Sequence, residues 1–221
     1  MIVIGLTGSI GMGKSTAAAA LRRMGIPVQD ADATVHRLLS PHGAAVREVL
    51  AAFPGTGSLE GGIDRQALGR LVFGDAAALK RLERIIHPKV SAAEARALAA
   101  WARRRVPVVV RDVPLLFETS GERRCDAVLV VSAPAFLQRQ RVLARPGVTE
   151  ARLNDILAKQ MPDREKRRRT PYIVETGLGK RHSLKMLQGF VRLLRARHGT
   201  GSVYGNARHR PRYGNHRARS R

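Results

Sequence analysis

The sequence predicts an α/β fold built on a doubly wound parallel sheet, and three observations lead to this expectation. A short apolar segment at residues 2–6 runs directly into a glycine-rich loop and then into strongly helix-forming sequence. Short, mostly β-branched segments recur further along the chain, with long helical patterns between them. The 221 residues, 44% of them hydrophobic, suffice for one such domain with insertions. The predicted strands span 2–6, 26–29, 106–111, 127–131 and 172–174.

Helical patterns fill the segments between the predicted strands, as parallel strands require. The gap between the second and third strands is about 75 residues long and carries no strand pattern. A crossover of that length holds more than one helix, so we expect a helical subdomain over about 33–104. The predicted helices span 15–24, 31–39, 43–53, 65–72, 76–86, 88–105, 135–144, 150–160 and 182–197.

The first predicted strand leads into a loop, residues 8–15, that reads G-x-x-x-x-G-K-S. Its glycines let the backbone curl so that successive N–H groups face a polyphosphate, and the following helix adds positive charge at its N-terminus. Lys14 is expected to reach the β- and γ-phosphates, and the Ser15 hydroxyl to bind Mg²⁺. The alternative is a glycine-rich turn before an ordinary helix, which the framing by strand and helix disfavours. We therefore expect binding of a nucleoside triphosphate.

Carboxylates follow two other predicted strands, at the sheet edge where ligands bind in open α/β folds. Asp112 ends the third strand and fits the second acidic group of a phosphate-loop enzyme, directed toward the metal or its waters. Asp30 and Asp32 end the second strand, and in an extended segment both would point the same way. One of them is explained as the N-cap of the next helix. We favour Asp32 for the chemistry.

Basic residues form two clusters in the second half of the chain. Arg141 and Arg145 are four residues apart on one predicted helix, so they are expected to share a face and to close over the transferring phosphoryl group. A solvated helix surface explains them equally well. The denser run at residues 164–169 is interpreted as an exposed helix end with an i,i+3 or i,i+4 partner. His87, before Pro88, has no role by itself.

The charge and the cysteine content limit the functions that are possible. The net charge is +23, of which residues from Lys180 onward contribute +12 with no acidic residue, leaving +11 for residues 1–179. Residues 199–221 have almost no apolar side chains, so we expect a disordered basic tail, with nucleic-acid binding possible but not favoured. The single Cys125 excludes an intramolecular disulfide, and no apolar stretch approaches a membrane span. Without a signal-peptide pattern, the expected location is cytoplasmic.

Taken together, the motifs closely resemble the dephospho-coenzyme A kinase family. The resemblance spans about residues 2–178 and rests most on the two rarer motifs, D-A-D and D-V-P-L-L-F-E. The motifs are G-x-T-G-x-I-G-x-G-K-S at 5–15, D-A-D at 30–32, H-P at 87–88, D-V-P-L-L-F-E at 112–118 and Q-x-x-R-x-x-x-R at 138–145. The resemblance implies transfer of the ATP γ-phosphate to the ribose 3′-hydroxyl of dephospho-coenzyme A, with Mg²⁺ as cofactor.

The resemblance also implies an arrangement of parts and residues. A P-loop kinase-like domain over 1–198 carries the helical substrate-binding insertion and a helical lid over about 135–168, and we expect a monomer. The catalytic residues would be Asp32, Lys14 and Arg141. The acceptor would meet Thr7, Asp32, His87 and Asp112, and Mg²⁺ would meet Ser15 and Asp112. The nucleotide would meet Gly8, Gly11, Met12, Gly13, Lys14, Ser15, Thr16 and Arg145.

Two departures from the family pattern and two rival functions remain open. Met12 is bulkier than usual, but its side chain can point outward. Thr170-Pro171 replaces the more usual Ala-Asp before the last strand.

One rival function is that of a nucleoside-monophosphate or other small-molecule kinase on the same core. The other is a nucleic-acid-binding switch or ATPase, although the sequence has no D-x-x-G or N-K-x-D segment for a guanine-nucleotide switch.

Overall fold

The computed structural model describes residues 1–199, so the predicted tail lies outside the described residues except for Gly199. A five-stranded parallel sheet confirms the predicted fold class, with strand order β2-β3-β1-β4-β5. Its strands are β1 Ile2–Thr7, β2 Val28–Asp30, β3 Val108–Asp112, β4 Ala127–Ser132 and β5 Tyr172–Glu175. In the parallel pairs, Ile4 lies opposite Ala127, and Leu129 lies opposite Tyr172. All five predicted strands are therefore present.

Helices occupy the segments between the strands and after the last strand, close to the predicted bounds, and the helix Asp163–Arg168 is additional to the predicted ones. A short 3₁₀ helix, Gly121–Arg124, precedes β4. The α-helices are α1 Lys14–Arg23, α2 Ala31–Leu39, α3 Val46–Ala52, α4 Arg65–Val72, α5 Ala76–Arg103, α6 Ala135–Leu143, α7 Glu150–Ala158, α8 Asp163–Arg168 and α9 Lys180–Gly199.

One expected helix boundary is wrong, because α5 runs without a break through Pro88. The sequence predicts two helices there, ending and restarting at His87-Pro88. Proline removes one helical hydrogen bond and costs about 3 kcal/mol in a helix interior. Ile86 on one side and Val90 on the other pack into the same hydrophobic cluster, and this burial offsets the loss.

The described chain forms two compact units. The first, here called the sheet unit, comprises residues 1–28, 107–110 and those from Pro114 onward. Its core is formed by strand residues such as Ile4 and Val131 with Leu21 of α1 and Leu187 of α9. Parallel strands of this kind are buried on both faces, so the side chains on both faces are apolar. This explains why the strand segments have continuous apolar sequence.

The second unit, here called the helical unit, comprises Gln29–Val106 and Arg111–Val113. The insertion expected over about 33–104 falls inside it. Its own core gathers Leu38, Val49, Leu68 and Ile86, one from each of α2 to α5. Asp64 and Asp75 cap the N-termini of α4 and α5 through their carboxylates. Within residues 1–199, no helix is long and apolar enough to cross a membrane.

Candidate active site

The loop between β1 and α1 has the backbone conformation that phosphate binding needs. Gly11 has φ +76° and Gly13 has φ +91°, the left-handed region that L side chains rarely adopt. Gly13 is also the N-cap of α1, so the helix begins at Lys14 with the N–H groups of its first turn directed toward the loop. This is the arrangement in which the backbone and the helix dipole together favour an anion.

The carbonyls of the loop are held by side chains that lie behind it. Gln138 of α6 donates its Nε2 to the Ile10 carbonyl at 2.8 Å. Thr176, directly after β5, donates its hydroxyl to the Met12 carbonyl at 2.7 Å. A loop whose carbonyls are turned away from the ligand presents its N–H groups toward it. These two side chains therefore fix the directions in which the Ile10 and Met12 carbonyls point.

Arg141 of α6 completes this support. Its guanidinium donates to the Thr176 hydroxyl at 3.1 Å and to the Thr176 carbonyl at 2.8 Å, with a longer contact of 3.4 Å to the Gly11 carbonyl. The helix also packs directly on the loop, because a Cβ added at Gly11 would lie 2.5 Å from Val142 Cγ2. Arg141 is therefore held against the phosphate loop, where an arginine can meet phosphate oxygens.

The expected phosphate-binding side chains begin α1. Lys14 is half-buried, whereas Ser15 and Thr16 are exposed in the first turn. Gly8 lies at the other end of the loop, where a Cβ would approach the Val131 carbonyl to 2.6 Å. Glycine is therefore required at position 8 by close packing against β4.

The Met12 side chain points inward, not outward. Its side chain is 2% exposed, and its sulfur accepts a hydrogen bond from the Ala133 amide at 3.0 Å. The flexible thioether fills the irregular space between the loop and the end of β4. The bulk of Met12 thus supports the loop from inside.

A cavity of about 360 Å³ adjoins the loop within the sheet unit. It has a predominantly apolar lining with a few polar side chains, the character of small-molecule sites. The residues that line it are Ser9, Met12, Ala133, Ala135, Gln138, Leu157, Gln160, Met161, Pro162 and Asp163. Gln160 also accepts a hydrogen bond from the Ile10 amide at 3.0 Å, so the cavity wall and the loop are joined.

Thr7, the last residue of β1, is fully buried. Its hydroxyl donates to the Pro114 carbonyl at 2.9 Å. Because that hydroxyl has only one proton, any second partner must donate to it. Thr7 therefore presents an acceptor immediately before the phosphate loop.

In the helical unit, Asp30 and Asp32 have different environments. Asp30 caps α2 by accepting from the Ala33 amide at 2.9 Å, which confirms the capping assignment. The helix begins at Ala31, so Asp32 is exposed in its first turn and the expected extended geometry is wrong. Residues two apart on a helix do not share a face. The Asp30 carboxylate is therefore used in capping α2, whereas the Asp32 carboxylate is exposed on another side of the chain.

Asp112 ends β3 as expected and is 3% exposed. Its neighbour Arg111 forms a bidentate ion pair with Glu94 of α5, in which the second contact, from Nη2 to Oε2, is 2.9 Å. Such a pair fixes the end of the strand within this unit. His87 is exposed on α5.

Arg145 does not share a helix face with Arg141, contrary to expectation. The helix α6 ends at Leu143 with Ala144 as its C-cap, and Arg145 is exposed beyond that end. Pro146 follows directly, and a residue before proline is disfavoured in the helical conformation.

Three side chains around the loop were not predicted from the sequence. Gln138 lies in the same motif as Arg141 and Arg145, in which only the arginines were expected to act. Thr176 follows β5 directly, and the rule that singled out Asp112 at the end of a strand applies to it equally. Gln160, at the end of a predicted helix, has no such signal in the sequence.

Each unit contains a hard oxygen donor of the kind that Mg²⁺ prefers. In the sheet unit this is the Ser15 hydroxyl, and in the helical unit it is the Asp112 carboxylate. Residues 1–199 contain no group of three His, Cys, Asp or Glu side chains that could hold a metal alone. Mg²⁺ normally keeps several waters and takes one or two protein ligands plus substrate phosphates, so no larger cluster is required.

Known proteins resemble this chain over nearly its whole length. A family model described as dephospho-CoA kinase matches residues 2–179. The chain belongs to the dephospho-CoA kinase family. The dephospho-CoA kinase of Paramagnetospirillum magneticum is 60% identical over 96% of this chain and its own full length. That of Rhodospirillum rubrum is 58% identical over 88% of this chain and 92% of its own.

Solved structures share the fold of this chain. A crystal structure from Thermus thermophilus is 38% identical with a TM-score of 0.76, covering 87% of this chain and 96% of its own. A dephospho-CoA kinase from Campylobacter jejuni, at 22% identity and a TM-score of 0.62, covers the same shares and supports the fold alone. As a member of this kinase family, the chain uses ATP as phosphoryl donor. A nucleoside monophosphate or another small molecule is not favoured as the acceptor.

Proposed function

We propose that this chain transfers the γ-phosphoryl group of ATP to the ribose 3′-hydroxyl of dephospho-coenzyme A, yielding coenzyme A and ADP. The observation that carries the proposal is the family match over residues 2–179, since a phosphate loop alone fits many acceptors. Identities of 58% and 60% to named dephospho-CoA kinases support the same acceptor.

The loop and the start of α1 bind the triphosphate in this proposal. Backbone N–H groups at Gly8, Gly11 and Gly13 cradle the phosphates, and Lys14 neutralises the β- and γ-phosphates. Support comes from the two positive φ angles and from the carbonyls held behind the loop. Ser15, Thr16 and the backbone of Met12 complete the nucleotide contacts, with Arg145 available from the exposed turn after α6.

Arg141 stabilises charge on the transferring phosphoryl group. Its guanidinium lies within hydrogen-bond distance of the Gly11 carbonyl and is fixed by two bonds to Thr176, which supports a preorganised cation beside the loop. A preorganised donor costs no reorganisation during the reaction. The helices α6 to α8 form a lid in this proposal, from which Arg141 acts once both substrates are bound.

Asp32 acts as the general base on the acceptor side. Transfer to an alcohol requires a group that orients the hydroxyl and accepts its proton. The assignment is supported by Asp30, which is committed to capping α2 and leaves Asp32 as the exposed carboxylate of the D-A-D motif. Thr7, His87 and Asp112 are assigned to acceptor binding by the family resemblance.

Ser15 and Asp112 hold Mg²⁺ directly or through its waters in this proposal. When bound, the ion neutralises charge on the β- and γ-phosphates. The Ser15 hydroxyl at the start of α1 and the buried Asp112 carboxylate are donors of the right kind. We further infer a monomeric enzyme in the cytoplasm, where ATP is supplied.

The proposal is tested by ADP release in a coupled assay, with dephospho-coenzyme A compared against a panel of nucleoside monophosphates. We expect ADP release with dephospho-coenzyme A at least about 10²-fold above any nucleoside monophosphate, the discrimination that polar contacts to the correct acceptor supply. Lys14→Ala controls for contaminating kinases and should release no ADP above background. Equal or greater release with a nucleoside monophosphate would contradict the proposed acceptor.

A further inference from the structure

One buried lysine stands out among the basic residues. Lys166 of α8 lies within the charged run 164–169, where the sequence predicts exposed side chains. Arg169 fits that prediction through its i,i+4 pair with Glu165 at 2.7 Å. The Lys166 side chain instead has 0% exposure. A buried charge costs free energy even when it is paired, so its presence needs an explanation other than stability.

The ammonium of Lys166 joins two parts of the D-V-P-L-L-F-E segment. Its Nζ lies 2.9 Å from Glu118 Oε1 and donates to the Pro114 carbonyl at 3.3 Å. Both acceptors therefore depend on one cation for their relative position. Lysine donates up to three such bonds from a single point charge, which suits it to this role.

The two groups that accept from Lys166 each have a second hydrogen-bond partner, one beside the phosphate loop and one in the cavity wall. The Pro114 carbonyl also accepts from the Thr7 hydroxyl at 2.9 Å, and Thr7 immediately precedes the phosphate loop. Glu118 Oε1 also accepts from the Met161 amide at 2.8 Å, and Met161 lines the cavity beside the loop. A continuous chain of hydrogen bonds thus runs from Thr7 through Lys166 to the cavity wall, entirely within the sheet unit.

We propose that Lys166, through its pair with Glu118, is a positioning residue for phosphoryl transfer. It fixes the Pro114 carbonyl that orients the Thr7 hydroxyl, and it fixes the carboxylate that holds the Met161 wall of the cavity. The inference rests on the proposed function, because that function assigns Thr7 to acceptor binding. It requires no contact between Lys166 and any substrate.

The test separates positioning from stability with paired variants. Lys166→Met alone leaves the Glu118 carboxylate buried with the Met161 amide as its partner, while Glu118 Oε2 has no hydrogen-bond partner among the described residues. Its melting temperature should therefore fall. The double variant Lys166→Met/Glu118→Gln removes both charges and keeps an oxygen for the Met161 amide, so its melting temperature should return toward that of the wild type. Arg167→Met, an exposed neighbour, is the matched control.

Melting temperature, affinity for a non-hydrolysable ATP analogue and kcat are then measured for all variants. The acceptor is whichever member of the panel above the wild type phosphorylates, so a wrong acceptor would contradict the proposed function and leave this test intact. We expect kcat to fall roughly 10²-fold in the single and the double variant, the scale of a misplaced reacting group. Affinity for the ATP analogue should stay within about threefold, because the loop carbonyls keep their partners. Recovery of kcat together with melting temperature in the double variant would overturn the positioning role.

Discussion

The support of the phosphate loop from behind makes Thr176→Val the most informative substitution in the sheet unit. Valine has nearly the same shape as threonine but lacks the hydroxyl, which donates to the Met12 carbonyl at 2.7 Å and accepts from Arg141 at 3.1 Å. The second bond from Arg141, to the Thr176 carbonyl at 2.8 Å, remains in the variant. The substitution therefore removes these two bonds, together with a longer bond from the hydroxyl to the Ser132 carbonyl at 3.3 Å, and it takes the Thr176 donor from the Met12 carbonyl.

The expected magnitude follows from those two bonds. A neutral hydrogen bond contributes about 1 kcal/mol net, and one from a charged donor contributes somewhat more. With the remaining Arg141 contact, we expect a loss of about 2 kcal/mol in the free energy of unfolding. For a chain of this size that corresponds to a fall in melting temperature of about 4–8 °C. The freed Met12 carbonyl should also weaken ATP binding by roughly tenfold, about 1.4 kcal/mol.

The assay is thermal unfolding followed by circular dichroism, with ATP affinity measured by calorimetry on the same preparations. Thr176→Ser keeps the hydroxyl and serves as the matched control, so both quantities should stay near those of the wild type. A Thr176→Val variant with unchanged melting temperature and ATP affinity would refute the reasoning. Equal impairment in the serine variant would assign the effect to lost packing of the methyl group.

Four further substitutions test separate parts of the site. Lys14→Ala should abolish turnover and leave the circular dichroism spectrum unchanged. Near-normal activity of this variant would contradict the assignment of residues 8–15 as a phosphate-binding loop. Asp32→Asn should lower kcat by roughly 10²–10⁴ with ATP affinity preserved, while a larger effect of Asp30→Asn would reverse the two roles. Arg141→Ala should lower kcat by roughly 10²-fold, and a change in acceptor KM alone would make it a binding residue. Gly11→Ala should unfold several degrees below Gly25→Ala in a thermal melt. Gly25 has the same φ of +76° but no atom within 4 Å of an added Cβ, so equal melting temperatures would contradict the packing of α6 on the loop.

The features predicted correctly from the sequence are those fixed by local chemistry. The β-branched strands, the glycine loop and the Asp30 cap each depend on residues a few positions apart. A capping aspartate acts on an amide three residues away, and the left-handed glycines need only the chain itself. Neighbouring residues carry the required information in each of these cases.

The features predicted wrongly depend on contacts distant in sequence. Pro88 lies inside α5 because apolar residues on both sides pack into one cluster, which outweighs the local tendency to end a helix. Met12 points inward because the end of β4, some 120 residues away, leaves a space for its sulfur. Neither contact has a signature in the residues around the position itself.

Lys166 shows the same difficulty for charge. The run of six charged residues at 164–169 predicts solvent exposure for all of them, and periodicity cannot identify the one that is buried. Only its partners Glu118 and Pro114, roughly 50 residues earlier in the chain, distinguish it. Charged residues are seldom fully buried unless paired, so a pairing partner must be known before burial can be inferred.

The central claim, transfer to the 3′-hydroxyl of dephospho-coenzyme A, is tested most directly by the position of the new phosphate in the product. Purified protein is incubated with ATP, Mg²⁺ and dephospho-coenzyme A, and the product is examined by ³¹P nuclear magnetic resonance with proton coupling to the ribose. We expect one new phosphomonoester signal coupled to the ribose 3′-proton, formed in equal amount with ADP and absent with Lys14→Ala. A phosphate coupled to the 2′-proton, or ADP formed without any phosphorylated ribose, would contradict it.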